Sequence, residues 1–155
     1  MASKEVYLTP EGRRKLQEEL EYLRSVKRPE VAEKIHTAKE AGDIMENAAY
    51  EEAKHQQAFV EGRILTVKSM LNNAVIIEDS GPSETVRLGS RVIVVERGYP
   101  VEQFRIVGSA EADPGKGLIS NESPLGKALL NRRVGDEVAV QTPDGTTYFS
   151  IQAIE

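Results

Sequence analysis

The sequence predicts an α+β protein, an antiparallel helical hairpin followed by a small antiparallel sheet domain with one helix. Three observations predict it. Apolar residues recur every three or four positions up to about Asn73, then in short Val- and Ile-rich runs beyond it. Only Pro10, Pro29, Gly12, Gly42 and Gly62 interrupt the first stretch, whereas five prolines and nine glycines follow it. A few residues around Gly42-Asp43-Ile44 separate the two long helical runs. So short a link makes them antiparallel neighbours. The division that follows is a hairpin domain over residues 1–75 and a sheet domain over residues 76–155.

The first helix opens at Thr9-Pro10-Glu11. Thr suits the N-cap, Pro the first helical position, and an acid the first turn. Leu16, Leu20, Leu23, Val31, Ile35 and Ala38 then mark one face. Pro29 removes a backbone donor inside this run and is expected to kink or restart the helix. The second run, Ala49, Ala53, Gln56, Val60, Ile64, Val67 and Leu71, steps by three and four like a coiled-coil seam. From Asn47 to Asn72 it would extend about 39 Å. Such an arm is too long and thin to bury itself in a small domain, so it serves for reaching or for dimerisation. Strands are expected at 74–78, 91–96, 103–107, 137–141 and 147–154. In the last, Phe149, Ile151 and Ala153 alternate with Ser150 and Gln152. Pro143-Asp144-Gly145 reads as the turn before it, and Ser123-Pro124 opens one short helix through Leu130.

Composition narrows the function. The 155 residues carry a formal charge of −5, with no Cys, no Trp and two His. Residues 1–73 hold twelve basic and thirteen acidic side chains, and residues 74–155 hold eight and twelve. This excludes a uniformly basic nucleic-acid coat, a disulfide framework and a thiolate metal site or nucleophile. No apolar run approaches the roughly 20 residues that span a bilayer, and the first residues lack an apolar leader core. A soluble, cytoplasmic protein with no membrane partner is expected.

The link between the helical runs is the most informative segment. Asp43 and Glu46, three residues apart, face the same way on a helical turn. One reading is a capping box, with Asp43 as N-cap and Glu46 at N3. The other is a hard-cation site, since Mg²⁺ takes one or two carboxylates together with waters and substrate oxygens. Two acids alone hold Mg²⁺ poorly, so another molecule would have to complete that site. The readings are compatible, because a capping carboxylate keeps spare lone pairs.

Many motifs, in order and in spacing, carry a resemblance over nearly the whole chain, from about Tyr7 to Ile154. They are Leu8-Thr9-Pro10-Glu11-Gly12, Arg28-Pro29-Glu30 and Gly42-Asp43-Ile44-Met45-Glu46-Asn47-Ala48-Ala49-Tyr50, then Ala53-Lys54-His55-Gln56-Gln57 and Glu61-Gly62-Arg63-Ile64. The distal half adds Ile106-Val107-Gly108, Glu111-Ala112-Asp113, Ile119-Ser120, Ser123-Pro124-Leu125-Gly126-Lys127-Ala128-Leu129-Leu130 and Gly135-Asp136-Glu137-Val138. The chain resembles the bacterial transcript cleavage factors of the GreA family. The resemblance implies a coiled-coil hairpin and an FKBP-like distal domain. It implies an accessory factor of bacterial RNA polymerase, not an enzyme, whose hairpin enters the secondary channel while the distal domain grips the rim. There it stimulates endonucleolytic cleavage of backtracked RNA, acting on the nascent 3′ end. The implied site is Asp43 and Glu46, which share a Mg²⁺ with the polymerase active site; no cofactor is held stably by the chain alone. Two metals stabilise the attacking and leaving oxygens of phosphodiester hydrolysis. Lys39 and Lys54 match the family's basic patch for displaced RNA, and Ser123 and Pro124 lie at its polymerase-docking surface. A monomer is expected. Met45 stands where the family usually has a polar residue, Ala41 where His is frequent, and Ala49 where Glu is frequent; none removes a carboxylate.

Each residue also has a plainer role. Lys39 and Lys54 suit a solvated helix face with i,i+4 pairs such as Glu30–Lys34. Tyr50 either stacks on an extruded base or packs to close the hairpin end, and packing is favoured. His36 and His55 are expected to be surface residues rather than a metal pair. Arg132-Arg133 either contacts an acidic partner or caps the C-terminal end of the short helix through its dipole, and capping is favoured. Three other functions share this outline: a polymerase-binding inhibitor of the same architecture, a non-catalytic coiled-coil adaptor and a prolyl isomerase. The isomerase needs an aromatic-lined pocket. The distal half offers only Tyr99, Phe104, Tyr148 and Phe149, and Phe149 belongs to the expected core.

Overall fold

A computed structural model describes residues 4–42, 47–78 and 81–155. Its contacts divide the chain into two compact units, one of Arg13–Asn73 and one combining the residues before Arg13 with Ala74–Glu155.

The helical unit takes in most of α1 (Pro10–Tyr22), then a π-helical segment Leu23–Lys27, α2 (Arg28–Glu40) and α3 (Ala48–Asn72). Pro29 neither breaks nor restarts the first arm. Tyr22, Lys27 and Arg28 all keep right-handed helical dihedrals, and the Arg28 N–H bonds to the Leu23 carbonyl five residues back. In α-register the proline ring would meet the carbonyl four residues before it. The wider π turn absorbs this conflict, so the arm continues. Leu23, Val31, Ile35, Ala53, Val60 and Ile64 form the buried seam, with Leu20 and Tyr50 packed against it. The expected apolar face is therefore the buried one. Ala49, at its distal end, is exposed. Among the described residues, two ion pairs cross between the arms: Arg63 grips both Glu19 oxygens at 2.6–3.1 Å, and Arg28 reaches Glu61 at 2.8 Å. Partly exposed pairs of this kind each contribute up to about 1 kcal/mol, so the apolar seam dominates.

The sheet unit begins before the hairpin. β1 (Val6–Leu8) pairs in parallel with β2 (Ala74–Ile76). The remaining strands are β3 (Arg91–Glu96), β4 (Val101–Val107), β5 (Leu118–Ser120), β6 (Glu137–Thr142) and β7 (Gly145–Ile154). They form one sheet in the order β5-β4-β3-β7-β6. All its pairs are antiparallel except β4 with β5. That parallel pair needs a return connection. It is supplied by two 3₁₀ turns, Ser109–Glu111 and Pro114–Lys116. α4 (Pro124–Leu129) packs Leu129 into a core with Val92, Val94, Ile106, Val138 and Ile151. The alternation expected along β7 changes phase near its end. The register slips beside Ile93 and Val94, so Ile154 is buried while Ala153 is only half-buried. A bulge of this kind shifts which side chain faces inward. Among the described residues, no helix is long and apolar enough to cross a membrane.

Candidate functional site at the hairpin tip

Asp43 and Glu46 lie outside the described residues; the geometry on either side of them is described. α2 ends at Glu40 with Ala41 still helical, and Gly42 follows at φ +139°. Glycine alone adopts that backbone readily, so the sequence fixes where the first arm stops. Asn47 opens the second arm. Its side-chain oxygen accepts the Tyr50 N–H at 3.2 Å, and its side-chain amide donates to the Ala38 carbonyl at 2.7 Å. One residue thus caps α3 and satisfies an end carbonyl of α2. The N-cap of α3 is therefore Asn47, four residues beyond the Asp43 expected from a capping box. Asn ranks with Asp among the best N-caps, and that signal was available in the sequence.

The flanking residues sit as follows. Lys39 is exposed in the last turn of α2. Lys54 is exposed on α3 and donates to the Gln57 side chain at 3.0 Å. Tyr50 is half-buried and packs against the seam, as the packing reading expects. His36 lies 3.2 Å from Glu40 on its own helix, and His55 is exposed. Among the described residues no group of three or more His, Cys, Asp or Glu side chains converges to hold a metal.

Ser123 and Pro124 belong to the sheet unit. The Ser123 hydroxyl accepts the Gly126 N–H at 3.0 Å and donates to the Ser120 carbonyl at 2.6 Å, and Pro124 is the first residue of α4. A polar network supports this turn: Ser109 Oγ lies 2.9 Å from Ser120 Oγ and 2.8 Å from Glu122, and Lys4 reaches Glu122 at 2.9 Å. The Lys4 and Ser109 hydrogen bonds hold the Glu122 carboxyl below the usual carboxylate range. At the other end of α4, Asn131 takes a left-handed backbone and the Arg132 N–H bonds to Leu129. The chain turn itself thus helps to close the helix.

The start of α1 holds a cluster that the sequence pattern does not reveal. Thr9 is fully buried, and its hydroxyl accepts the Gly12 N–H at 3.0 Å, the expected cap. The Glu111 carboxylate closes over it, taking the Thr9 N–H at 3.0 Å and the Thr9 hydroxyl. Hydrogen bonds to a charged acceptor each contribute about 1.5–3 kcal/mol when shielded from water. Beside it, Glu11 lies 3.9 Å from Arg105. The Glu11 carboxyl is held low, chiefly by its own backbone N–H and then by Thr9.

Two family models match the chain. Residues 6–76 match "Transcription elongation factor, N-terminal", and residues 81–155 match "Transcription elongation factor, GreA/GreB, C-term". Transcription elongation factor GreA of Bacillus subtilis (strain 168) is 51% identical over 156 residues, covering 99% of both chains. The protein of that name from Thermoanaerobacter pseudethanolicus is 52% identical over 154 residues, covering 98% of each. Among solved structures, GreA factor homolog 1 (Gfh1) of Thermus thermophilus is 33% identical, covers 98% of this chain and 99% of its own, and aligns with a TM-score of 0.46. With both halves matched in order and half of all positions shared across the full length, the chain belongs to the GreA/GreB family of transcription elongation factors.

Proposed function

We propose that the protein binds bacterial RNA polymerase, reaches the active site through the secondary channel, and stimulates cleavage of backtracked RNA. The observation that carries this reading is the tip. Gly42 ends one arm, Asn47 ties the other arm to it, and the four residues between them include two carboxylates. A protein that completes a metal site in another enzyme needs a stiff arm with acids at its end.

Hard carboxylate oxygens suit Mg²⁺, but two of them fall well short of an octahedral set. Asp43 and Glu46 would therefore hold the ion only together with polymerase groups, and the chain is an accessory factor rather than a nuclease. When bound, Mg²⁺ supplies charge stabilisation for the attacking and leaving oxygens. Lys39 and Lys54 attract phosphates of the displaced RNA, and the open part of the Tyr50 ring gives a base a stacking face. The turn at Ser123 and Pro124 docks on the polymerase rim. One monomer serves one polymerase, in the cytoplasm.

The test is a stalled, backtracked elongation complex with labelled RNA. Adding the protein should shorten the transcript from its 3′ end and restore extension. The protein with Mg²⁺ and free RNA should release nothing. Cleavage of free RNA that survives repurification would contradict the accessory role. Lasting inhibition without shortening would assign the chain to the inhibitory relatives.

A further inference from the structure

The helical unit carries an apolar trough that its own side chains leave open. Phe59 is 74% exposed, the most of any large hydrophobic residue among those described, and Tyr22 is 48% exposed. Both line a trough of about 690 Å³ together with Leu23, Val31 and Val60. All five belong to Arg13–Asn73, so the feature lies inside one unit. Single apolar side chains on a surface need no explanation, but two rings lining one apolar trough form a patch, and such patches mark interaction sites. A long arm serves for reaching or for dimerisation, and entry into a channel uses only the first.

The charges along the trough favour one occupant. Glu52 and Arg63 also line it. They lie seven residues before and four after Phe59, so the three share one face of α3. Glu52 is exposed and has no ion-pair partner among the described residues. Arg63 holds Glu19 through Nε and Nη2, which leaves Nη1 with donors for a second carboxylate. The neighbouring cation, Lys27, lies 3.8 Å from Glu30. A phosphate chain would meet Glu19 and Glu52 here, so nucleic acid does not fit. A face that carries, along one line, a free acid, a ring and a cation with spare donors is complementary to itself turned end for end.

We propose that the trough binds a second copy of this chain: two α3 helices lie antiparallel about a two-fold axis, with Glu52 of each copy facing Arg63 of the other. A closed two-fold contact uses the same patch on both partners. Residues 52 and 63 exchange places when the axis crosses α3 between 57 and 58. Phe59 then lies three residues from its counterpart, about 4.5 Å along the helix direction, within the roughly 4.5–7 Å spacing that paired rings prefer. Each ring thereby covers apolar wall of the other copy's trough. The strip from 52 to 63 is about 17 Å long and two helices wide, about 20 Å. Two such strips bury roughly 700–1,000 Å² in all, the size of weak and transient contacts. The pairing is therefore reversible and belongs to the free protein at high concentration. One monomer still serves one polymerase, and the pairing stands whether or not the factor stimulates cleavage.

The experiment is analytical ultracentrifugation of the full-length protein over a concentration series, with site-directed cross-linking beside it. The wild type should pass from monomer to dimer as concentration rises. Phe59→Ser removes an exposed ring and should weaken the dimer about tenfold or more while the far-ultraviolet spectrum stays unchanged. Glu52→Lys sets a cation against Arg63 of the other copy and should weaken it similarly, whereas Glu51→Lys, off this face of α3, should not. The chain has no cysteine, so Gln56→Cys and Lys68→Cys each supply a single thiol. Gln56 lines the trough, and Lys68, nine residues after Phe59, lies on the opposite side of the helix. A short bismaleimide should join two copies through the first thiol and not the second, a contrast that also serves if Phe59→Ser folds poorly. A protein that stays monomeric throughout would overturn the proposal. So would a dimer that Phe59→Ser and Glu52→Lys leave intact, or equal cross-linking from both thiols, since another face would then be pairing. A Gln56→Cys thiol shielded by polymerase in a protein that never dimerises would give the trough to polymerase instead.

Discussion

The two capped helix starts of the arm, at Thr9 and at Asn47, are built from opposite materials. Thr9 is fully buried and shares its donors with a carboxylate 102 residues away. Asn47 is half-exposed, and its partners, Tyr50 and Ala38, lie within nine residues. The root is a tertiary construction and the tip a local one. A local tip can change its chemistry without disturbing the core, which suits the proposed role of its acids in another molecule. A tertiary root cannot change one member alone, because Thr9, Gly12 and Glu111 occupy each other's space.

The largest effect should come from glycines, with opposite signs in the two units. In the sheet unit a Cβ on Gly108 would overlap the Tyr7 carbonyl of β1. Backbone cannot yield as a side-chain end does, so Gly108→Ala should destabilise by about 3 kcal/mol or more. In the helical unit Gly62 has nothing within 4 Å of a Cβ. Gly62→Ala should stabilise by about 0.5–1 kcal/mol. Urea unfolding followed by amide exchange in each unit reads both; equal signs would erase the contrast.

A middle-sized effect belongs to the tip. Asn47→Ala removes the α3 cap and the bond to Ala38, at a cost of about 1–2 kcal/mol. The loss should stay local. Exchange should quicken at the adjoining ends of α2 and α3, while Val92 and Ile106 in the sheet keep their protection. Spread of the effect into the sheet would show that the tip is not built locally.

The smallest effect is acidic. Glu11 and Glu122 both have folded pKa values below the ordinary carboxylate value, from hydrogen bonds and nearby cations. Depressed carboxyls stabilise the fold fully above their unfolded pKa of about 4.3, and that contribution is lost as pH falls through the folded value. Glu122→Gln should therefore lower sheet-unit stability slightly at pH 7 and flatten its further loss as pH falls below about 4.5. An unchanged acid limb would remove Glu122 from this account.

What the sequence made legible follows the same division. The seam of Leu23, Val31, Ile35, Val60 and Ile64 was readable because a helical face repeats within a few residues. The turn residues Gly42 and Ser123 were readable because their backbone or capping role is local. The three-residue strands β1 and β5 were not, since a run that short has no period and its partner is distant. The bulge in β7 was hidden because only the partner strand reveals the slipped register. At the tip, Asp43 and Asn47 are both strong caps about one helical turn apart; Asn47 opens α3, and Asp43 lies outside the described residues. Glu111 offered no local signal, because its partner Thr9 is 102 residues away along the chain.

The central claim is that the tip acids act chemically and are not needed for folding or docking. Asp43→Asn and Glu46→Gln test it most directly, because each keeps the residue's size and hydrogen-bonding capacity while removing its charge. The measurement is the cleavage rate of one backtracked complex at saturating factor, with thermal unfolding run alongside. The account predicts melting and half-saturation like the wild type, with cleavage slowed roughly a hundredfold or more, as for loss of a charged transition-state contact. Variants that melt like the wild type and cleave at its rate would contradict it.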